Sequence, residues 1–139
     1  MRILVVEDFE PFRRFVCSTL GEQPRLQVVG ESSDGLEAVQ KAEALQPELI
    51  VLDIGLPSLN GIEAARRIRK VSPESKIVFI SQESSAEVVE EAFRLGARGY
   101  VVKRRAGIDL LPAIEAVRGN RQFVSRGLPS CCSMVATNS

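Results

Sequence analysis

Five polar side chains stand directly after short apolar runs. Glu7 and Asp8 follow Ile3–Val6, Asp53 follows Leu49–Leu52, Ser81 follows Ile77–Ile80, and Lys103 follows Tyr100–Val102. If each run is a strand, four strands send these groups to one rim. Three carboxylates gathered there repel: two unit charges ~4 Å apart at an effective dielectric of about 20 cost ~4 kcal/mol. A divalent cation relieves that repulsion. The chain has no histidine and no metal-type cysteine spacing, so only oxygen donors remain, favouring Mg²⁺ or Mn²⁺ over zinc. Lys103 adds a compact positive charge and Ser81 a hydroxyl. Cation, ammonium and hydroxyl together suit the holding of a phosphoryl group, and Asp53 could itself attack and carry it. The lack of histidine also excludes Ser-His-Asp triads, HExxH zinc sites and phosphohistidine chemistry on this chain.

The elements that must position these groups follow from periodicity. Five runs, ILVV (3–6), LQVV (26–29), LIVL (49–52), IVFI (77–80) and YVV (100–102), are mostly apolar on both faces, as in strands covered by helices on each side. Between them apolar residues fall three or four apart: Phe12, Val16 and Leu20; Leu36, Val39, Ala42 and Leu45; Ile62, Ala65 and Ile68; Val89, Ala92 and Leu95; Leu110, Ile114 and Val117. Asn60 with Glu63, and Ser84 with Glu87, have capping-box spacing. Gly96 and Gly119 suit left-handed helix ends, and Pro112 fits the first turn of the last helix. Alternating β and α segments predict an α/β fold: a five-stranded parallel sheet, order 2-1-3-4-5, doubly wound and flavodoxin-like. In such sheets ligands bind at the carboxyl ends where strand order reverses, here between the first and third strands.

Composition narrows the setting. The 139 residues are 45% hydrophobic and 26% charged, as in a globular domain. Eighteen basic residues balance eighteen acidic ones, so net charge provides no reason to expect nucleic acid or an anionic membrane as partner. The run RRIRK (66–70) is read as a solvated helix face. No apolar run approaches the ~18 residues of a membrane span, and MRILVVEDFE turns acidic too early for a secretory signal. Cys17, Cys131 and Cys132 form no disulfide framework, consistent with a reducing cytoplasm. The pattern divides the chain into a domain over 1–122 and a short extension with a flexible tail over 123–139, with no room there for a helix-turn-helix module.

The motifs ILVVED (3–8), LIVLDIGLPSLNG (49–61), IVFIS (77–81) and GARGYVVK (96–103) keep the order and approximate spacing of response-regulator receiver domains, which the chain resembles over residues 1 to 120. FRLGARGYVVKR, LLPAIEAVRGNRQFVS and NGIEAARRIR look closest to the NarL/LuxR-type branch, whose receivers usually precede a DNA-binding domain. The resemblance implies that Asp53 accepts a phosphoryl group from a sensor histidine kinase or a small phosphodonor. Asp8, Asp53 and the Gly55 carbonyl would bind Mg²⁺, with Glu7 acting directly or through water. Lys103 would pair with the phosphate, Ser81 would hydrogen-bond it, and Tyr100 would be the aromatic switch that follows Ser81 inward. The fourth-helix, fifth-strand, fifth-helix surface would then signal to a downstream protein or a linked output domain, with a homodimer as one result. No direct nucleic-acid binding by these residues is expected, and no enzyme turnover beyond the chain's own phosphorylation and dephosphorylation.

Departures from the family pattern bear on lifetime rather than chemistry. Glu7 replaces the commoner aspartate, Arg104 stands where proline is frequent, and Gln82 follows Ser81 where a small residue is usual. Gly55 and Glu83 occupy positions linked in the family to dephosphorylation rate. Two rival readings use the same fold: a phosphorylation-independent interaction module, and an aspartate-nucleophile phosphatase. The second lacks its Asp-x-Asp motif, because Gly55 takes the place of the second acid.

Overall fold

The structure is a computed structural model that describes residues 1–82 and 85–126. In chain order the elements are β1 (Arg2–Val6), α1 (Glu10–Gly21), β2 (Gln27–Ser32), α2 (Gly35–Leu45), β3 (Leu49–Asp53), α3 (Gly61–Val71) and β4 (Lys76–Ser81). They continue with α4 (Ala86–Arg94), β5 (Gly99–Val102), a 3₁₀ turn (Lys103–Arg105), α5 (Ala106–Arg118) and β6 (Phe123–Val124). The sheet has the doubly wound, flavodoxin-like order β2-β1-β3-β4-β5-β6. The expected five strands thus become six. Phe123–Val124, expected to begin an extension, pairs in parallel with Gly99–Tyr100. Residues 127–139, with Cys131 and Cys132, lie outside the described residues.

Contacts group residues Met1–Ile77 into one compact unit and the residues from Val78 onward into a second. In the first, Ile3–Val6 and Leu49–Leu52 run in register and are fully buried. α1 buries Val16 and Leu20, and α3 buries Ala64, Ala65 and Ile68 while Arg66, Arg67, Arg69 and Lys70 face water. Asn60 caps α3, its side chain accepting from Glu63 N–H at 3.0 Å. α2 differs from expectation. Its buried face is Gly35, Ala38 and Ala42, while Leu36 is exposed. Glycine is needed at position 35 because a Cβ there would stand 1.8 Å from the Leu59 carbonyl oxygen.

In the second unit, α4 buries Val89 and Ala92 and α5 buries Leu110, Ala113, Ile114 and Val117. The cap of α4 is Ser85, accepting from Val88 N–H at 3.3 Å; Ser84 lies outside the described residues. Gly96 closes α4 with φ 101°, as glycine allows. Gly119 caps α5 with a right-handed φ of −86°, and the left-handed residue is Asn120 at φ 61°. Pro112 sits inside α5 rather than in its first turn. The helix tolerates it on the solvent side: Pro112 is exposed, and Ile108, four residues back, is 66% exposed, so water can reach the carbonyl that proline cannot serve.

Candidate functional site

The register of β1 with β3, Val6 opposite Leu52, leads the next residues Glu7 and Asp53 out side by side. Glu7 prolongs the ladder on its other side, its N–H donating to the Ser32 carbonyl at 2.9 Å. Glu7 and Asp53 are buried and Asp8 is exposed. One carboxylate oxygen from each of the three lies within 4.8 Å of the others. Two flexible side chains on a loop would not stay so close against their repulsion; two strand ends held by a buried ladder do. Glu7 is oriented further: Oε2 accepts from Phe9 N–H at 2.9 Å, and its carbonyl accepts from Arg13 Nη1 at 2.8 Å. Gly55 N–H donates to Asp53 Oδ1 at 3.3 Å. The donor set is all hard oxygen and combines rigid buried ligands with one at the surface, which fits a cation of the Mg²⁺ or Mn²⁺ class.

The loop after Asp53 is clamped from two directions. Gly61 N–H donates to the Ile54 carbonyl at 2.7 Å, and Gly35 N–H to that of Pro57 at 3.3 Å. Ser58, at φ 67°, donates its hydroxyl to Asp34 Oδ2 at 2.8 Å. Asp34 also caps α2 through Oδ1 and Glu37 N–H at 2.9 Å. These two hydrogen bonds, Glu37's first, hold the Asp34 carboxyl below its usual pKa.

In the second unit, Ser81 ends β4 opposite Val102, and Lys103 follows at once, opening the 3₁₀ turn. Ser81 is buried and Lys103 half-buried. Tyr100 is fully buried, its ring centroid 6.3 Å from that of Phe79 at 45°. Gln82 is exposed; Glu83 lies outside the described residues. One group escaped the sequence reading: buried Asp109 accepts from Arg105 Nε at 2.9 Å and from Ser125 Oγ at 2.7 Å. The i,i+4 spacing of Arg105 and Asp109 was a visible signal; nothing in the sequence tied Ser125 to them.

A family model of the response regulator receiver domain matches residues 3–115. The chain belongs to that family. Curated relatives agree: it is 35% identical over 124 residues to the DNA-binding transcriptional activator DevR/DosR of Mycobacterium tuberculosis, covering 89% of this chain and 57% of that protein. It is 34% identical over 126 residues to the nitrate/nitrite response regulator protein NarL of Escherichia coli, covering 91% of this chain and 58% of that protein. The receiver therefore spans just over half the length of these two relatives. Among solved structures, a LuxR-family two-component response regulator from Aurantimonas superposes with a TM-score of 0.86 at 30% identity, covering 99% of this chain and 96% of that one. The NarL/LuxR-type resemblance and the assignment to phosphorylation-based two-component signalling both hold. Receivers bind Mg²⁺ at an acidic pocket and act as phosphoacceptor switches rather than as enzymes, and this receiver has the acidic cluster. Among the described residues no helix is long and apolar enough to cross a membrane.

Proposed function

We propose that Asp53 is the phosphoacceptor of this receiver, taking a phosphoryl group from a sensor histidine kinase or a small phosphodonor in the cytoplasm. The observation that carries this reading is the convergence of Glu7, Asp8 and Asp53 within 4.8 Å, with Asp53 on a fully buried strand. A stiff mount keeps the attacking oxygen aimed, and positioning with charge neutralisation is most of what phosphoryl transfer requires. A Mg²⁺ or Mn²⁺ ion, held by Glu7, Asp8, Asp53 and the Gly55 carbonyl, would supply neutralisation of phosphate charge. Lys103 acts as the second neutralising charge and Ser81 as a hydroxyl donor to the phosphoryl oxygens; Ser81 ends β4 opposite Val102, the residue just before Lys103.

The phosphoryl group carries roughly −1.5 to −2 charges and stands in place of the single negative charge of the Asp53 carboxylate, at the far end of a longer group. Ser81 and Lys103 respond to that charge, and Tyr100, three residues before Lys103, passes the change to the surface of α4, β5 and α5. The output is a downstream protein or a linked domain, in the manner of a transcription regulator, with homodimerisation as one consequence. A near-complete switch needs about 5.5 kcal/mol of differential stabilisation. The test is intact-mass measurement after incubation with acetyl phosphate or phosphoramidate and Mg²⁺. Wild type gains one phosphoryl group and Asp53→Asn gains none. An unchanged wild-type mass, or equal gain by Asp53→Asn, removes the proposal.

A further inference from the structure

β5 carries Tyr100 and runs directly into Lys103, and after α5 the chain returns to that same strand. Phe123 N–H donates to the Arg98 carbonyl at 3.1 Å, and Ser125 N–H to that of Tyr100 at 3.0 Å. The next rung is made by a side chain: Val102 N–H donates to Ser125 Oγ at 3.1 Å. That hydroxyl gives its own hydrogen to Asp109 Oδ2 at 2.7 Å. Arg105 holds the same carboxylate through Nε at 2.9 Å and Nη2 at 3.4 Å. The direction of the chain is thereby set, because a hydroxyl committed to Asp109 offers its lone pairs to Val102. Val102 immediately precedes Lys103, and Arg105 closes the same 3₁₀ turn. Both ends of the turn that bears Lys103 are therefore tied to Ser125.

Covering the edge of β5 would need only the two backbone rungs. Here a carboxylate 6% exposed and a serine 0% exposed are added, with the desolvation cost that buried polar groups bring. We propose that Ser125, Asp109 and Arg105 are positioning residues that lock the Lys103 turn to the segment 123–126. A shift of Lys103 and Tyr100 on phosphorylation is passed through them to the chain that follows Ser125, and load on that chain acts back on the turn with equal coupling. The inference rests on the phosphoacceptor role of Asp53.

The test is amide hydrogen exchange of the full 139-residue chain, with and without beryllium fluoride and Mg²⁺, in wild type and Ser125→Ala. In wild type, the loop 54–61 and the amides of Val102 and Ser125 all change their exchange on adding the phosphoryl mimic. In Ser125→Ala, Val102 exchanges roughly tenfold faster without the mimic. The response of 123–126 is lost while that of 54–61 persists, a split that a purely structural role would not produce. Arg105→Gln, altered at a side chain 30% exposed, gives the same split if Ser125→Ala fails to fold. A wild type in which 54–61 responds but Val102 and Ser125 do not overturns the inference and leaves the phosphoacceptor reading intact. So does an unaltered response of 123–126 in both variants. A wild type that responds nowhere removes both.

Discussion

A Cβ on Gly61 would stand 2.1 Å from the carbonyl oxygen of Asp53. The first residue of α3 thus lies against the backbone of the proposed phosphoacceptor, and the short bond from Gly61 N–H to the Ile54 carbonyl holds it there. Glycine is required here for space rather than for a left-handed turn. Gly61→Ala must push either the helix start or the end of β3 away. We expect a loss of about 2–3 kcal/mol in urea unfolding, within the range for overpacking. Phosphorylation of Asp53 should slow as well, because its strand end moves. Wild-type stability together with a wild-type rate would mean that the close approach is relieved elsewhere.

Asp8 is the one exposed member of the acidic cluster, so it can be changed without opening the core. Mg²⁺ should raise the melting temperature of wild type, since a ligand that binds only the folded state at ~100 times its Kd adds about 2.7 kcal/mol. A chelator should reverse the shift. Asp8→Asn is expected to melt at or above the wild-type temperature without Mg²⁺, because one repulsive charge has gone. It should need more than tenfold higher Mg²⁺ to gain the same increment. Titration of thermal shift against Mg²⁺ for both proteins decides this, and superimposable curves would exclude Asp8 as a ligand.

The acidic cluster was legible because strands announce their ends: an apolar run such as Leu49–Leu52 broken by an acid locates both the strand and what it delivers. Burial within helices was harder to read. In α2 the larger Leu36 marked an apparent face, but Leu36 is exposed and the buried side begins at Gly35, where the close approach of Leu59 leaves no room for a side chain. Gly119 drew the left-handed assignment by its type, whereas the chain turns one residue later, at Asn120. β6 carries no periodic signal, since two residues have no period; backbone rungs and a buried serine hold it, and both depend on where α5 returns the chain. Tertiary approach decided each of these, and a local pattern does not contain it.

Asp34 links the cap of α2 to the loop after β3, and its pH dependence has a definite sign. Hydrogen bonds from Glu37 N–H and then the Ser58 hydroxyl favour its charged form in the fold, lowering its pKa from 3.8. The stabilisation is therefore present above the unfolded value and is lost as pH falls through the lower folded value. Asp34→Ala should melt below wild type near about pH 7, and the gap should shrink in acid below the ordinary carboxylate range. Melting temperatures of the two proteins across that range are the measurement. A gap that is constant with pH would show that the carboxylate charge contributes nothing.

Cys17, half-buried on α1, should resist alkylation although it is a free thiol. Burial first, then the negative charge of Glu31 and the hydrogen bond to it, push its pKa from 9.0 to about 11, while Arg13 pulls weakly the other way. The thiolate is the nucleophile, so a shift of about two units leaves roughly a hundredfold less reactive species near neutral pH than in the unfolded chain. Iodoacetamide labelling, mapped to the peptide that contains Cys17, should be slow in buffer and fast in urea. Glu31→Gln should accelerate the native reaction only in part, because burial is the larger cause. The linkage runs toward alkali: the fold favours the neutral thiol, so this contribution is complete below 9.0 and is lost as pH rises toward about 11. Cys17→Ala should remove that alkaline component of the stability profile. Equal labelling rates in buffer and urea would show that the surroundings of Cys17 do not hold its proton.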